Sequence, residues 1–363
     1  MQSLPLMQSL PLEIIHLIFK KTCVNTLNIL AYVNKFFYEH VAEFAIQSNI
    51  SKQISCNVIA SEGYLNVLKW AKENGHVRGC IMVCEYAAFY GHFEVLKWAK
   101  ENGYPCDTNT CSNAAKGGHY EILKWAKLND CPWDSYTCIY IAERGNLELL
   151  KWARENNCDW NSSVCAVAAS KGHLEILKWA VYNGCEWDEI TCMNAAGSGH
   201  LEILIWARTY GCEWSSDTCA FAALCGHLTT LKWAREHGCP WTADTCAFAA
   251  LGGHLELLKW VRQNGCHWNA KTCSNAAKGG YIEILKWARN NGCEWDSETC
   301  SGAVNSGHLE ILKWAVENGC ILHSEIFDDV FMFDDNINDN QIEILKWADE
   351  KGYLHDFHTK NKI

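Results

Sequence analysis

A Trp returns along this chain at a nearly fixed step. It stands at Trp70, Trp98, Trp125, Trp152, Trp179, Trp206, Trp233, Trp260, Trp287, Trp314 and Trp347, with one step of 28 residues, eight of 27 and a last of 33. A second series keeps register with the first: Trp133, Trp160, Trp187, Trp214, Trp241, Trp268 and Trp295. Together they account for all 18 Trp of the chain. A unit this short cannot bury an apolar face alone, so each copy must cover its neighbour. The 363 residues are therefore expected to form one repeat array rather than two or three globular domains.

The unit reads as two short helices. Asp134, Asn161, Asp188, Ser215, Thr242, Asn269 and Asp296 share one column, and all are good N-caps for a first helix such as SYTCIYIAER. That helix should end at a column of Gly, from Gly63 to Gly307, with Asn340 in the last copy. Gly and Asn tolerate positive φ, so a chain reversal is expected there, Asn340 included. The second helix reads LELLKWAREN, with Glu148 and Lys151 three apart on a solvated face. It should end at Gly103, Asp130, Asn157, Gly184 and their equivalents through Gly319, all tolerant of the left-handed region.

A net charge of −11 without a basic run argues against a nucleic-acid groove. No stretch of about 18 apolar residues offers a membrane span, and the N-terminus lacks the pattern of a secretory signal. The chain reads as an intracellular monomer of the cytoplasm, with the nucleus left open. Of its 22 Cys, ten fall in one column (Cys56 to Cys300) and eight in another (Cys131 to Cys320). The nearest pairs are spaced C-x6-C, without knuckle spacing. They are read as small packing residues, reduced and metal-free, with no cofactor. His recurs at the turn (His92, His119, His173, His200, His227, His254, His308) in too many copies for a catalytic group, so turn hydrogen bonding is expected. The Trp ladders are read as packing between repeats, with truncation of a buried ring costing about 3–5 kcal/mol. No constellation points to an enzyme.

The chain opens MQSLPLMQSLPL, a hexapeptide written twice, so Met1 or Met7 could be the start. Leu10 to Phe44 then gives two amphipathic stretches. Leu10, Pro11, Glu13, Ile14 and Ile15, followed by Val33, Asn34, Lys35, Phe36 and Phe37, resemble an F-box over about 35 residues. The other reading is a helical cap on the first repeat. The resemblance implies that residues 1–46 bind the Skp adaptor of a cullin-type ubiquitin ligase, with Leu10, Pro11, Ile14, Ile15, Ile18 and Phe37 as docking residues.

From residue 55 to 363 about eleven units follow. Their TCxxAAxxGHLEILKWAxxxGC core resembles the ankyrin repeat, which shares the Ala-Ala pair, the Gly-His turn, and the Glu and Gly of the second helix. Two departures are plain. The period is 27 rather than 33, so the projecting β-hairpin should be shortened or missing, and Thr-Cys replaces Thr-Pro-Leu-His. The pairing of an F-box with Lys-Trp-Ala repeats resembles proteins of amoeba-infecting large DNA viruses. After Cys320 the pattern breaks, and residues 321–363 read as an atypical C-terminal cap. Within it Phe327, Phe331 and Phe333, beside Asp328, Asp329, Asp334 and Asp335, offer a docking patch as the alternative.

The fold expected is thus all-α: an ankyrin-like helix-pair solenoid behind a small N-terminal F-box-like helical domain. The function expected is protein binding, as the substrate-recognition subunit of a ligase or as a scaffold without one. Specificity should lie where copies differ. The candidates in the variable columns are Tyr136, Tyr140, Ile190, Asp217, Phe221, Asp244, Phe248, Lys271 and Glu298.

Overall fold

The computed structural model describes residues 56–73, 80–327 and 338–354. The chain divides into two compact units, Met1–Trp160 and Asn161–Ile363. In the first unit the helix pairs are α1 Cys56–Ser61 with α2 Leu65–Glu73, α3 Val83–Tyr90 with α4 Phe93–Glu101, α5 Thr108–Gly117 with α6 Tyr120–Leu128, and α7 Ser135–Glu143 with α8 Leu147–Glu155. The second unit begins with α9 Ser162–Lys171 and α10 Leu174–Tyr182, α11 Glu189–Gly197 and α12 Leu201–Thr209, then α13 Ser216–Leu224 and α14 Leu228–Glu236. It continues with α15 Ala243–Leu251 and α16 Leu255–Gln263, α17 Ala270–Lys278 and α18 Ile282–Asn290, α19 Ser297–Asn305 and α20 Leu309–Glu317, and a last helix α21 Asp339–Glu350. Among the described residues there is no strand, so the β-hairpin of the longer repeat is missing, as the shorter period requires.

Both helix starts and helix ends follow from the columns. Asp134, Asn161, Asp188, Ser215, Thr242, Asn269 and Asp296 each accept the N–H two residues on, which leaves one fewer open donor in the first turn. Gly turns join the paired helices in the left-handed region, Gly226 at φ 78° for example. The second helices end the same way, with Asp130 and Asn157 at φ 58° and 60° standing in for Gly. The last copy departs from this scheme. Asn340 lies inside α21 and reverses nothing. Asn338 caps that helix instead, in a capping box with Gln341.

Within each unit the first helices pack closely on one another along the stack, whereas most second helices lean chiefly on their own first helix. Small residues allow the close approach. The small pair of each first helix is fully buried, Ala-Ala in most copies, as at Ala222 and Ala223, and Ile59–Ala60, Ile141–Ala142 and Ala303–Val304 in three; the Thr-Cys or Val-Cys step before it is equally enclosed. The second helices contribute a buried Leu or Ile pair and an Ala, such as Ile203, Leu204 and Ala207.

The Gly-His turn is a joint between repeats, where hydrogen bonding within a turn was expected. The His254 ring reaches back to the preceding copy. Its Nε2 lies 3.1 Å from the Leu224 carbonyl oxygen, and a Cβ on Gly226 would come within 2.5 Å of the ring. His92 bonds the Ser61 carbonyl and His200 the Ser170 carbonyl in the same manner. In the last copy Gln341 takes over, donating to the Asn305 carbonyl oxygen.

Two further expectations are corrected. No described Trp is enclosed: every one from Trp98 onward is half-buried, on the second-helix side of the joint. There an Arg caps the rings of Trp160, Trp214, Trp241, Trp268 and Trp295, Lys127 caps Trp133, and at most copies a first-series ring meets the second-series ring at its edge. Arg262 lies 4.1 Å from the Trp268 centroid, and Trp268 meets Trp287 at 5.6 Å and 72°. The ladder is thus mostly an Arg–Trp–Trp stack covered on one side only. Phe327, offered as part of a docking patch, is fully buried in a short 3₁₀ turn, Ser324–Phe327, that packs on α19. Phe331 and Phe333 lie outside the described residues, as do Leu10, Pro11, Ile14, Ile15, Ile18 and Phe37.

Candidate binding face and buried thiols

The variable residues stand at the second and sixth positions of the first helices, the second mostly exposed and the sixth half-buried. In the first unit Tyr136 is 58% exposed, with its ring 6.4 Å from that of Tyr140, and the Lys116 ammonium sits 5.3 Å from the Tyr140 centroid. In the second unit Phe221 and Phe248 meet edge to face at 5.9 Å, and Lys271 pairs with Asp244 at 3.5 Å. Asp217, Ile190 and Glu298 are exposed, and each backbone N–H is taken by the N-cap two residues before it. The structure therefore joins the candidates in small local groups and leaves Ile190, Asp217 and Glu298 outside any cluster. The same column also holds the stack together where function leaves it free. Asn194 and Asn275 donate to the Ala166 and Ala247 carbonyls of the preceding copies.

One group on this face escaped the sequence reading. Met82, Glu85, Tyr86, Phe89, Tyr90 and Asn113 line a pocket of about 230 Å³ over α3 and α5. The signal was present in the alignment of copies. The column of Glu85 otherwise holds Asn57, Ser112, Ile139, Ala166, Met193, Ala220, Ala247, Ser274 and Ser301, so Glu85 is its one charged member. Burial, and then the charge of Asp107, raise the Glu85 carboxyl above its usual range.

The Cys columns meet inside the stack. Partners are twenty residues apart, one on the first helix and the other in the loop that follows the second helix of the same pair. Cys300 donates to Cys320 with the sulfurs 3.1 Å apart. That bond holds the Cys320 thiol below its usual value and pushes Cys300 well above it. Cys192 and Cys212 show the same division, and so do Cys219 and Cys239. Among the described residues, no three His, Cys, Asp or Glu side chains converge as a metal would need. Nor is any described helix long and apolar enough to cross a membrane. The expectation that every Cys is reduced fails at Cys56 and Cys80. These are joined in a disulfide, their Cα atoms 5.3 Å apart and so within normal bridging range.

No curated protein matches the chain. Among solved structures, it is similar to the crystal structure of the human ASB11 ankyrin repeat domain, at 14% identity and a TM-score of 0.36. That alignment covers 43% of this chain and 84% of the other. Residues 84–126 match the family model described as ankyrin repeats (many copies). The matched segment holds α3–α4 and most of α5–α6; it resembles ankyrin repeats over those residues, and the same helix pair recurs to Glu317 in an all-α repeated array.

Proposed function

We propose that the array binds a protein target on its first-helix face, and that residues 1–46 act as an F-box linking that target to a Skp–cullin ubiquitin ligase. The observation that supports the binding role is the split between columns. Thr-Cys, Ala-Ala and Gly-His are held nearly constant by packing and joints, while the second and sixth positions of the first helices vary and stay accessible. Ankyrin repeats imply protein partners, and the role is binding without catalysis. The ligase link rests on the order and spacing of Leu10, Pro11, Glu13, Ile14 and Ile15 and of Val33 to Phe37. Apolar residues at such a loop–helix start would fill a partner groove in proportion to the area they bury, about 25 cal/mol per Å².

Capture of the full chain from a cell lysate tests both levels. The ligase reading expects adaptor and cullin peptides with the intact chain, and their loss when Leu10 and Pro11 become Ala. The melting of the repeats should stay unchanged when residues 1–45 are removed. If the intact chain captures no adaptor, or if the deletion unfolds the repeats, the segment is a cap and the protein a scaffold outside any ligase.

A further inference from the structure

We propose that the pocket between α3 and α5 binds the ammonium group of a lysine side chain presented by a protein partner. The proposal rests on the array's reading as a protein-binding surface and names the chemistry of one contact.

Glu85 is only 8% exposed. The groups that act on it are Asp107, a second carboxylate, and Asn109, and no cation is among them. Asp107 is fixed where it stands, because its side chain caps α5 by accepting the Thr110 N–H. Glu85 also shares a side-chain hydrogen bond with Asp107, so without a cation the pair must keep a proton between them, and a positive group could replace that proton. Packing does not require the Glu85 carboxyl, since the nine other copies hold uncharged residues at that position. A perturbed carboxyl in a pocket that packing does not require is a candidate contact for a ligand.

The walls complete the case. The Tyr86 and Tyr90 rings lie 6.5 Å apart with planes 13° from parallel, and Phe89 meets Tyr90 at 4.9 Å and 83°. Such rings offer electron-rich faces, which attract a desolvated cation. Lys116, the nearby basic residue on α5, lies over Tyr140 instead. At about 230 Å³ the pocket is smaller than a site for a drug-sized molecule and fits the end of one side chain. Met82 and Phe89 give apolar surface for a lysine stem, and the compact ammonium suits a carboxylate flanked by rings better than a planar fork does.

The chain has five Met, so ¹³C-methyl labelling of methionine gives a direct reporter at Met82 and an internal control at Met193. n-Butylammonium and Nα-acetyl-lysine methylamide, titrated into the full chain, should shift the Met82 methyl saturably and leave Met193 in place. Glu85→Gln, which removes charge without volume, should weaken both probes by about tenfold, and Tyr90→Ala, a half-exposed truncation, by about fivefold. 1-Butanol should have no comparable effect. Four results would overturn the proposal: butanol acting as butylammonium does, Glu85→Gln binding unchanged, butylguanidinium binding tighter, or the lysine methylamide failing where butylammonium succeeds. Retention of a captured protein target by Glu85→Gln would remove the lysine contact while leaving the array's binding role intact.

Discussion

At Gly226 and Gly238 the same residue does two different jobs. Both have positive φ, 78° and 86°, so any L side chain is strained at either. Only at Gly226 would a Cβ also strike the His254 ring, at 2.5 Å; at Gly238 nothing lies within 4 Å. Gly238→Ala should therefore cost about 1–2 kcal/mol, the conformational part alone. Gly226→Ala should cost about 1–3 kcal/mol more, because the ring that closes the joint must move. Urea denaturation of the two variants checks this, and equal midpoints would mean that the Gly-His joint yields freely. The glycines were legible in the sequence as turns, because a column of Gly, Asp and Asn has one common property. The joint was not, because a contact between one copy's Gly and the next copy's His leaves no mark within a single repeat.

At the scale of the element, the second helix carries two faces of unequal weight. Its Leu or Ile pair and Ala are enclosed, while its Trp sits in a stack open on one side. Trp206 touches Trp187 at 5.5 Å and Tyr210 at 4.9 Å, with Tyr182 at 6.2 Å. Half burial lowers the cost of truncation below that of a core ring. Trp206→Ala should destabilise by about 1–3 kcal/mol, and Ser216→Ala by no more than about 0.5 kcal/mol. Thermal melts of the two variants decide it, and coincident melts would show that the stack contributes nothing. Periodicity identified these rings as structural, but a fixed period cannot say how deep a column lies. Depth depends on what covers the ring, at Trp206 the rings of Trp187, Tyr182 and Tyr210. The pocket at Glu85 was hidden for the opposite reason. It belongs to one copy only, and attention to what repeats passes over what does not.

Across the whole molecule the cysteines give the sharpest readout. Denatured, unreduced protein should titrate about two thiols short of the 22 in the chain, the deficit being Cys56 and Cys80. In the native state a bulky thiol reagent should label Cys225, which is exposed, and Cys106 more slowly, among the described residues. The paired thiols should resist because burial keeps the reagent out, even at Cys212, Cys239 and Cys320, whose thiols lie below their usual value; burial also pushes Cys111 up to about 12. Mass spectrometry of labelled peptides locates the sites. Prompt labelling of Cys219 or Cys246 would mean that the stack opens readily. The all-α class, the helix pairs and their caps could be read from the sequence. The partners of the thiols could not, because spacing along the chain does not show which Cys the hairpin fold of each pair brings together, here residues twenty apart.

The Thr of the Thr-Cys step gives this array an unused margin. Thr137, Thr191, Thr245 and Thr299 are fully buried, and their hydroxyl oxygens have no hydrogen-bond partner. Each keeps the desolvation cost of a polar atom that contributes nothing in return. The chain already contains the alternative, since Val164 occupies the same position of α9 and is equally buried. Thr→Val at Thr191, Thr245 and Thr299 should each raise stability by about 0.5–1.5 kcal/mol. Spaced at least two repeats apart or on successive copies without shared partners, the gains should add. Calorimetry of the single and triple variants measures both. The headroom lies in a repeating, addressable position that an engineer could fill copy by copy.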